Sequence, residues 1–501
     1  MPPPTLPPPA EAGARLPGKH RSTQKTSGLD HEPKLIGVGW WLTDAPAWLA
    51  SAALHLTVLI LLALLAIAID EDRNLTLTGV FAEDLGEQLI EPQLDLSAEI
   101  EVDELQQSLT PEFLEPVPLP LAAPTPTQIS PNARALTSLL DIKTPGAAFA
   151  GREEGTRIAL LKAYGGTERT EAAVLAGLRW LRRKQQRDGG WSLEGRYANP
   201  ANTENREAAT AMALLAFQGA GHLPEGKGEF SKTVREGWEW LLKRQQPDGS
   251  FFSEGRNNHR YYTDALATIA LCELFGMTRN NDYLLSAQSA IDHLIDGQTT
   301  VGGWKYRPRE GNDLSVTGWV LMALKSGRMA GLEVPSEVFE QVTEFLDNDV
   351  SRAEGSQYVY ERSIVFNPEQ PPAMTAVGLL CRQYLGWPKD FVPLRQGVDL
   401  LLNHPPEWID RRRDIYYWYY ATQVCRHIGG DTWNEWNGVI REVLPDHQVK
   451  SGSEEGSWSP VGDRWGSTGG RLYQTCLSIY VLEVYYRHLP LYREGVTIDG
   501  K

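Results

Sequence analysis

A repeat of roughly fifty residues begins after residue 165, and this periodicity constrains the fold more than any other feature of the chain. One recurring unit is an amphipathic helix followed by Gln, a Gly-containing turn and an aromatic residue. It reads GLRWLRRKQQRDGGW at 177–191, GWEWLLKRQQPDGSF at 237–251 and, more loosely, AIDHLIDGQTTVGGW at 290–304. Degenerate endings are GSQYVY at 355–360 and EGSWSP at 455–460. The second unit is an apolar helix rich in small residues. Its aligned positions are Thr210, Ala265, Thr317, Thr375, Tyr419 and Thr475, separated by 55, 52, 58, 44 and 56 residues.

Six apolar helices thus alternate with six amphipathic ones, which start near residues 170, 230, 282, 335, 392 and 434. A helix apolar on every face belongs inside; one with a charged face, such as Arg182-Arg183-Lys184, belongs outside. The Gly of each turn gives a tight stop, and the aromatic behind it packs on the neighbouring hairpin. The predicted fold is all-α, an (α/α)6 toroid of six helical hairpins within residues 151–501. An open solenoid competes with it, but solenoids need polar capping repeats that this sequence lacks.

The text before the repeat has a different character. Residues 1–44 open with MPPPTLPPPA and carry five basic and four acidic side chains; they read as a disordered Pro-rich tail. Residues 45–69 hold 25 positions without a formal charge, enough for a transmembrane helix at about 1.5 Å per residue. A buried core helix and a cleaved signal peptide ending at Ala66-Ile67-Ala68 are the alternatives. Residues 70–150 carry fifteen acidic and three basic side chains, and they read as an extended acidic, Pro-rich linker. Arg15, Lys19, Arg21, Lys25 and Lys34 precede the apolar run and only Arg73 follows closely. The positive-inside rule then expects a single-pass protein of a bacterial cytoplasmic membrane, N-terminus cytoplasmic and toroid extracytoplasmic. Ser51 and His55 share one helix face. With Leu62 they resemble the anchor of TonB-type energy transducers, which implies docking on a partner helix in the membrane; a tolerated neutral His is the other reading.

The QxxDGxW-like turns and the six-hairpin pattern resemble the α/α toroids of squalene–hopene cyclases and protein prenyltransferase β-subunits. They are also similar to membrane-anchored bacterial proteins with prenyltransferase/squalene-oxidase repeats. The catalytic motifs that this resemblance implies are mostly missing. Cyclases use a DxDD acid; here Asp313 stands at the first position, Ser315 and Val316 replace the next two acids, and Asp264 alone matches the last Asp of the motif in its own repeat. A lone carboxyl lacks the paired environment that makes it a strong acid. Prenyltransferases hold zinc with D-x-C and a His. Asp414-Ile415-Tyr416 has Tyr for the thiolate, and Tyr473-Gln474-Thr475-Cys476 has Gln for the His. No metal and no cofactor are therefore expected. Cys272, Cys381, Cys425 and Cys476 fall in apolar helices and read as buried thiols.

What remains is a polar and aromatic set at the starts of the apolar helices. If the ring closes, Glu207, Tyr261, Asp264, Asp313, Asp414, Tyr416, Tyr417, Trp418, Arg471, Tyr473 and Gln474 line one mouth of it. Arg471 is then the expected partner of Asp414. The plainer reading is that the acids cap helix N-termini. A net charge of −16 argues against a nucleic-acid partner. The expected function is ligand or protein binding by a membrane-anchored toroid. The alternative is a divergent terpenoid-processing enzyme or a polysaccharide-active toroid.

Overall fold

The computed structural model of the protein describes residues 146–253, 255–489 and 491–492. The Pro-rich tail, the apolar run at 45–69 with Ser51 and His55, and nearly all of the acidic linker lie outside the described residues. Among the described residues no helix is long and apolar enough to cross a membrane.

After α1 (Glu154–Ala163), six pairs follow in which an outer helix precedes an inner one. They are α2 (Glu168–Lys184) with α3 (Arg206–Gly219), α4 (Ser231–Leu242) with α5 (Arg260–Thr278), and α6 (Leu284–Asp296) with α7 (Leu314–Ala330). Then come α8 (Ser336–Phe345) with α9 (Ala373–Tyr384), α10 (Val392–Leu402) with α11 (Ile415–Ile428), and α12 (Gly430–Asp446) with α13 (Gly466–Leu482). A short α14 (Val484–Arg487) ends the fold. Each inner helix packs on the next, α13 packs back on α3, and α12 touches α2. The double ring is closed.

Residue choice explains which helix goes where. Every residue of α11, and every residue of α3 except Arg206, is buried. A helix can be buried on all sides because its backbone hydrogen bonds are internal, and Ala and Gly let neighbours approach. On the outer helix α2, Arg182 and Arg183 face solvent while Trp180 and Leu181 are fully buried.

The glutamine of the turn motif acts as a clamp. Gln185 Nε2 donates to Gly189 O of its own turn (2.7 Å) and to Thr233 O of α4 (2.8 Å). Gln245 does the same to Gly249 O and to Ser286 O of α6, and Gln298 to Gly302 O and to Val338 O of α8. Gln448 closes the set on Gly456 O and on Ala173 O of α2. Behind each turn the aromatic amide is held by the inner helix: Trp191, Trp304, Tyr358 and Trp458 N–H donate to Thr210, Thr317, Thr375 and Thr475 Oγ1. In the second repeat Asp264, not Ala265, takes the threonine's part, accepting from Phe251 N–H at 2.7 Å. The repeat alignment is therefore one residue earlier there than the sequence suggested. The fourth turn departs furthest, with a two-residue antiparallel ladder, Ser351–Arg352 against Gln357–Tyr358.

The C-terminal ends of the inner helices are covered by a strap. It comprises a 3-10 turn at Ala147–Arg152 and α1. Gly146 N–H donates to Met329 O, Arg152 pairs with Glu273 at 2.7 Å, and Arg157 donates to Ala220 O. The N-terminal ends are the other mouth.

Candidate ligand site at the N-terminal mouth

Three inner helices begin with the same device. Asn205, Asp313 and Asp414 accept, through a side-chain oxygen, from the N–H of Ala208 (3.0 Å), Val316 (2.8 Å) and Tyr417 (3.0 Å). Each bond satisfies a helix donor that has no partner in its own helix. The capping reading of Asp313 and Asp414 thus applies, but only to one oxygen of each.

The second oxygen of Asp313 accepts from Tyr360 Oη at 2.9 Å, and Tyr360 Oη lies 2.5 Å from Tyr306 Oη. With the Tyr360 proton on Asp313, Tyr306 is the donor to Tyr360. The result is a directed chain, Tyr306 to Tyr360 to Asp313. Beside it the hydroxyls of Tyr262 and Ser315 are hydrogen-bonded, and Lys305 Nζ pairs with Glu361 at 2.5 Å. Tyr262, Tyr306, Tyr360 and Tyr473 are half-buried, so their rings border the opening. The floor is Asp313, Asp414, Tyr416 and Gln474, all buried.

On that floor several polar atoms have no hydrogen-bond partner: Asp414 Oδ2 and both carboxamide atoms of Gln474. Burial pushes the Asp414 carboxyl up to about 7; the Tyr417 N–H opposes the rise and Asp463 adds to it. Burial also raises Asp313, against the pull of the Val316 N–H and the Tyr360 hydroxyl, and it raises Asp463 above the pull of its N–H donors and Arg413. Burial, with Tyr262 and Asp313 nearby, drives Tyr416 well upward. The mouth therefore favours neutral, hydrogen-bonding groups.

Other expected residues lie elsewhere. Tyr417 turns outward and donates to Leu401 O (3.0 Å) and His404 O (3.1 Å), and Trp418 packs on Trp408. Tyr261 packs on His293. Asp264 holds the second turn through Ser250 Oγ, Phe251 N–H and Phe252 N–H. Glu207 accepts from Ser253 Oγ and lies 3.7 Å from Arg244. Arg471 does not meet Asp414: it donates to Ala198 O, Asn199 Oδ1 and Ser457 Oγ, and so ties α13 to the loop before α3. Tyr306 and Tyr360 were not among the expected residues. Each stands two places after a turn aromatic, Trp304 or Tyr358, and that spacing in an extended segment was the available signal.

The four cysteines are free and buried, with burial raising the thiols of all four. Among the described residues no group of three or more His, Cys, Asp or Glu is placed to hold a metal ion.

Residues 153–254 match the family model of the squalene-hopene cyclase C-terminal domain, in keeping with the resemblance seen in the turns. No curated protein matches the chain. Among solved structures it is similar to cellobiose 2-epimerase from Bacillus thermoamylovorans B4167, at 12% identity over 64% of this chain and 98% of that one, TM-score 0.48. It is similar to an inactive variant of an α-1,6-mannanase from Salegentibacter sp. HEL1_6, at 10% identity over 64% and 99%, TM-score 0.46. It is also similar to a type II terpene cyclase from Scytonema, at 13% identity over 63% and 98%, TM-score 0.43.

Proposed function

We propose that the chain is a membrane-anchored binding module whose toroid stands outside the cytoplasm and takes a polar ligand at its tyrosine-lined mouth. The observation that carries this reading is the set of unpartnered polar atoms on the buried floor: Asp414 Oδ2 and both carboxamide atoms of Gln474. Leaving a buried polar group unpaired costs about 1–3 kcal/mol, so a ligand that pairs with several of them recovers that cost on binding. The tyrosine rings at the rim offer apolar faces to the same molecule. A ligand with several hydroxyl or carbonyl groups on a compact apolar frame suits both features. Asp313, the remnant of the cyclase motif, has both oxygens engaged and is supported as a fixed acceptor rather than a proton donor.

The test is a thermal-shift screen of the full-length protein in detergent against a library of polyhydroxylated small molecules and oligosaccharides. A ligand that stabilises the wild type and loses its effect in Tyr360→Phe and Gln474→Ala supports the reading. Hits that ignore both substitutions, or no hits at all, contradict it. For the placement, protease added to intact spheroplasts should remove the toroid; full protection overturns the extracytoplasmic assignment.

One observation favours a second reading. A carboxyl held near pH 7 with one free oxygen, as in Asp414, has the properties of a general acid. Under that reading the mouth is catalytic, and Asp414→Asn abolishes turnover of a bound ligand while leaving its affinity nearly unchanged.

A further inference from the structure

Opposite the mouth, beneath the strap, lies a cavity of about 110 Å³. Its walls are mainly apolar, with Phe149, Leu215, Ile269, Trp319 and Met322 among them. Phe149 and Arg152 belong to the strap, which therefore roofs the cavity. The aromatic packing of Trp319 on Tyr419 (5.4 Å) and of Tyr419 on Tyr420 (5.1 Å) lies between the strap end and the Tyr416 floor, to which Tyr420 connects at 4.9 Å. This cavity is distinct from the mouth.

Its charged groups are already satisfied. Arg152 and Arg487 both reach Glu273, and Arg487 also pairs with Glu483 at 2.8 Å. The remaining arginine donors go to main-chain carbonyls of Arg487 and Leu215. Little is left here to attract an anion. His427 differs. It lines the cavity and is 3% exposed, and its Nδ1 accepts from the N–H of Leu491 at 3.4 Å. The proton is then on Nε2, which has no hydrogen-bond partner. Burial and the neighbouring Arg426 hold the ring neutral, its pKa lowered to about 3.

We propose that this cavity is a second binding site, for a small uncharged molecule with an apolar body and one hydrogen-bond acceptor that meets His427 Nε2. The size fits. A dry apolar cavity of about 150 Å³ accommodates benzene, so 110 Å³ suits a molecule slightly smaller. An acceptor in the ligand removes the cost of the buried unpaired donor, which an equally shaped hydrocarbon cannot do.

The experiment compares cyclobutanone with methylenecyclobutane, which has nearly the same shape without the carbonyl oxygen, by calorimetry and thermal shift on the full-length protein. Cyclobutanone is expected to bind saturably and about tenfold more tightly than the hydrocarbon. His427→Phe should remove that preference. Ser326→Leu, which fills the cavity without changing the histidine, should abolish binding of both probes. Binding should be constant between pH 5 and 8, because the ring stays neutral there. If neither probe binds, the cavity holds only water and the proposal fails. It fails equally if the two probes bind alike, or if Ser326→Leu, shown folded by its melting curve, still binds them.

Discussion

Gln448 donates its carboxamide N–H to the main-chain carbonyl of Ala173 at 2.8 Å, across 275 residues of sequence, and so joins the sixth outer helix to the first. Three equivalent bonds join earlier neighbours, but this one closes the ring. Gln448→Ala should therefore cost about 2–4 kcal/mol, two buried hydrogen bonds, in urea unfolding. Gln246 is exposed, and Gln246→Ala should stay within about 0.5 kcal/mol. Equal, small effects for both would mean that the clamp does not hold the ring.

Gly302 sits at φ +98°, and a Cβ there would lie 1.9 Å from Gln341 O. Both the backbone angle and the space exclude a side chain. Gly302→Ala should destabilise by at least about 2 kcal/mol in the same measurement. A neutral result would show that the turn can relax away from α8.

Much of the fold was legible because the repeat carries it locally. The outer helices expected near 170, 230, 282, 335, 392 and 434 begin at 168, 231, 284, 336, 392 and 430. The mouth was less legible. Tyr416 to Tyr420 form an unbroken aromatic run, yet a helix advances about 100° per residue, so only some of them can face the axis. Tyr416 and Tyr420, four apart, share that side, while Tyr417 turns toward Leu401 of α10 and Trp418 toward Trp408 in the loop that follows α10. Arg471 was expected at the mouth as the partner of Asp414; its actual partner was not legible, because Asn199 lies on a loop whose path no periodicity sets. Tyr306 and Tyr360 also sit on loops between turn and helix. Their pairing on Asp313 depends on two repeats being adjacent in space.

The strap depends on a buried ion pair. Removing Arg152 leaves Glu273 with Arg487 alone, and the main-chain carbonyl of Arg487 loses two donors. Arg152→Ala should cost about 3 kcal/mol, the low end for breaking a buried pair, because a second arginine remains. Hydrogen exchange should rise first at residues 147–163. Exchange unchanged there would show that the strap is held by Phe149 and the backbone instead.

Asp414 links the mouth to pH. Its carboxyl keeps a proton up to about pH 7 in the folded protein, against about 4 in the unfolded chain. Between those values the folded state holds more protons, so the stability it contributes is full below about pH 4 and is lost as pH rises through about 7. Asparagine retains the capping oxygen and stays neutral throughout. The melting temperature of Asp414→Asn, relative to wild type, should therefore be higher at pH 8 than at pH 5. A difference that does not vary with pH would mean that Asp414 is solvated.

The most direct measurement is a crystal structure of the full-length protein with a ligand from the stabilising screen. The ligand is expected within about 2.7–3.2 Å of the Gln474 carboxamide or Asp414 Oδ2, with its apolar face on Tyr262 or Tyr360. A ligand seated on the outer helices, with the floor atoms still unpaired, would contradict a binding site at the mouth of the ring.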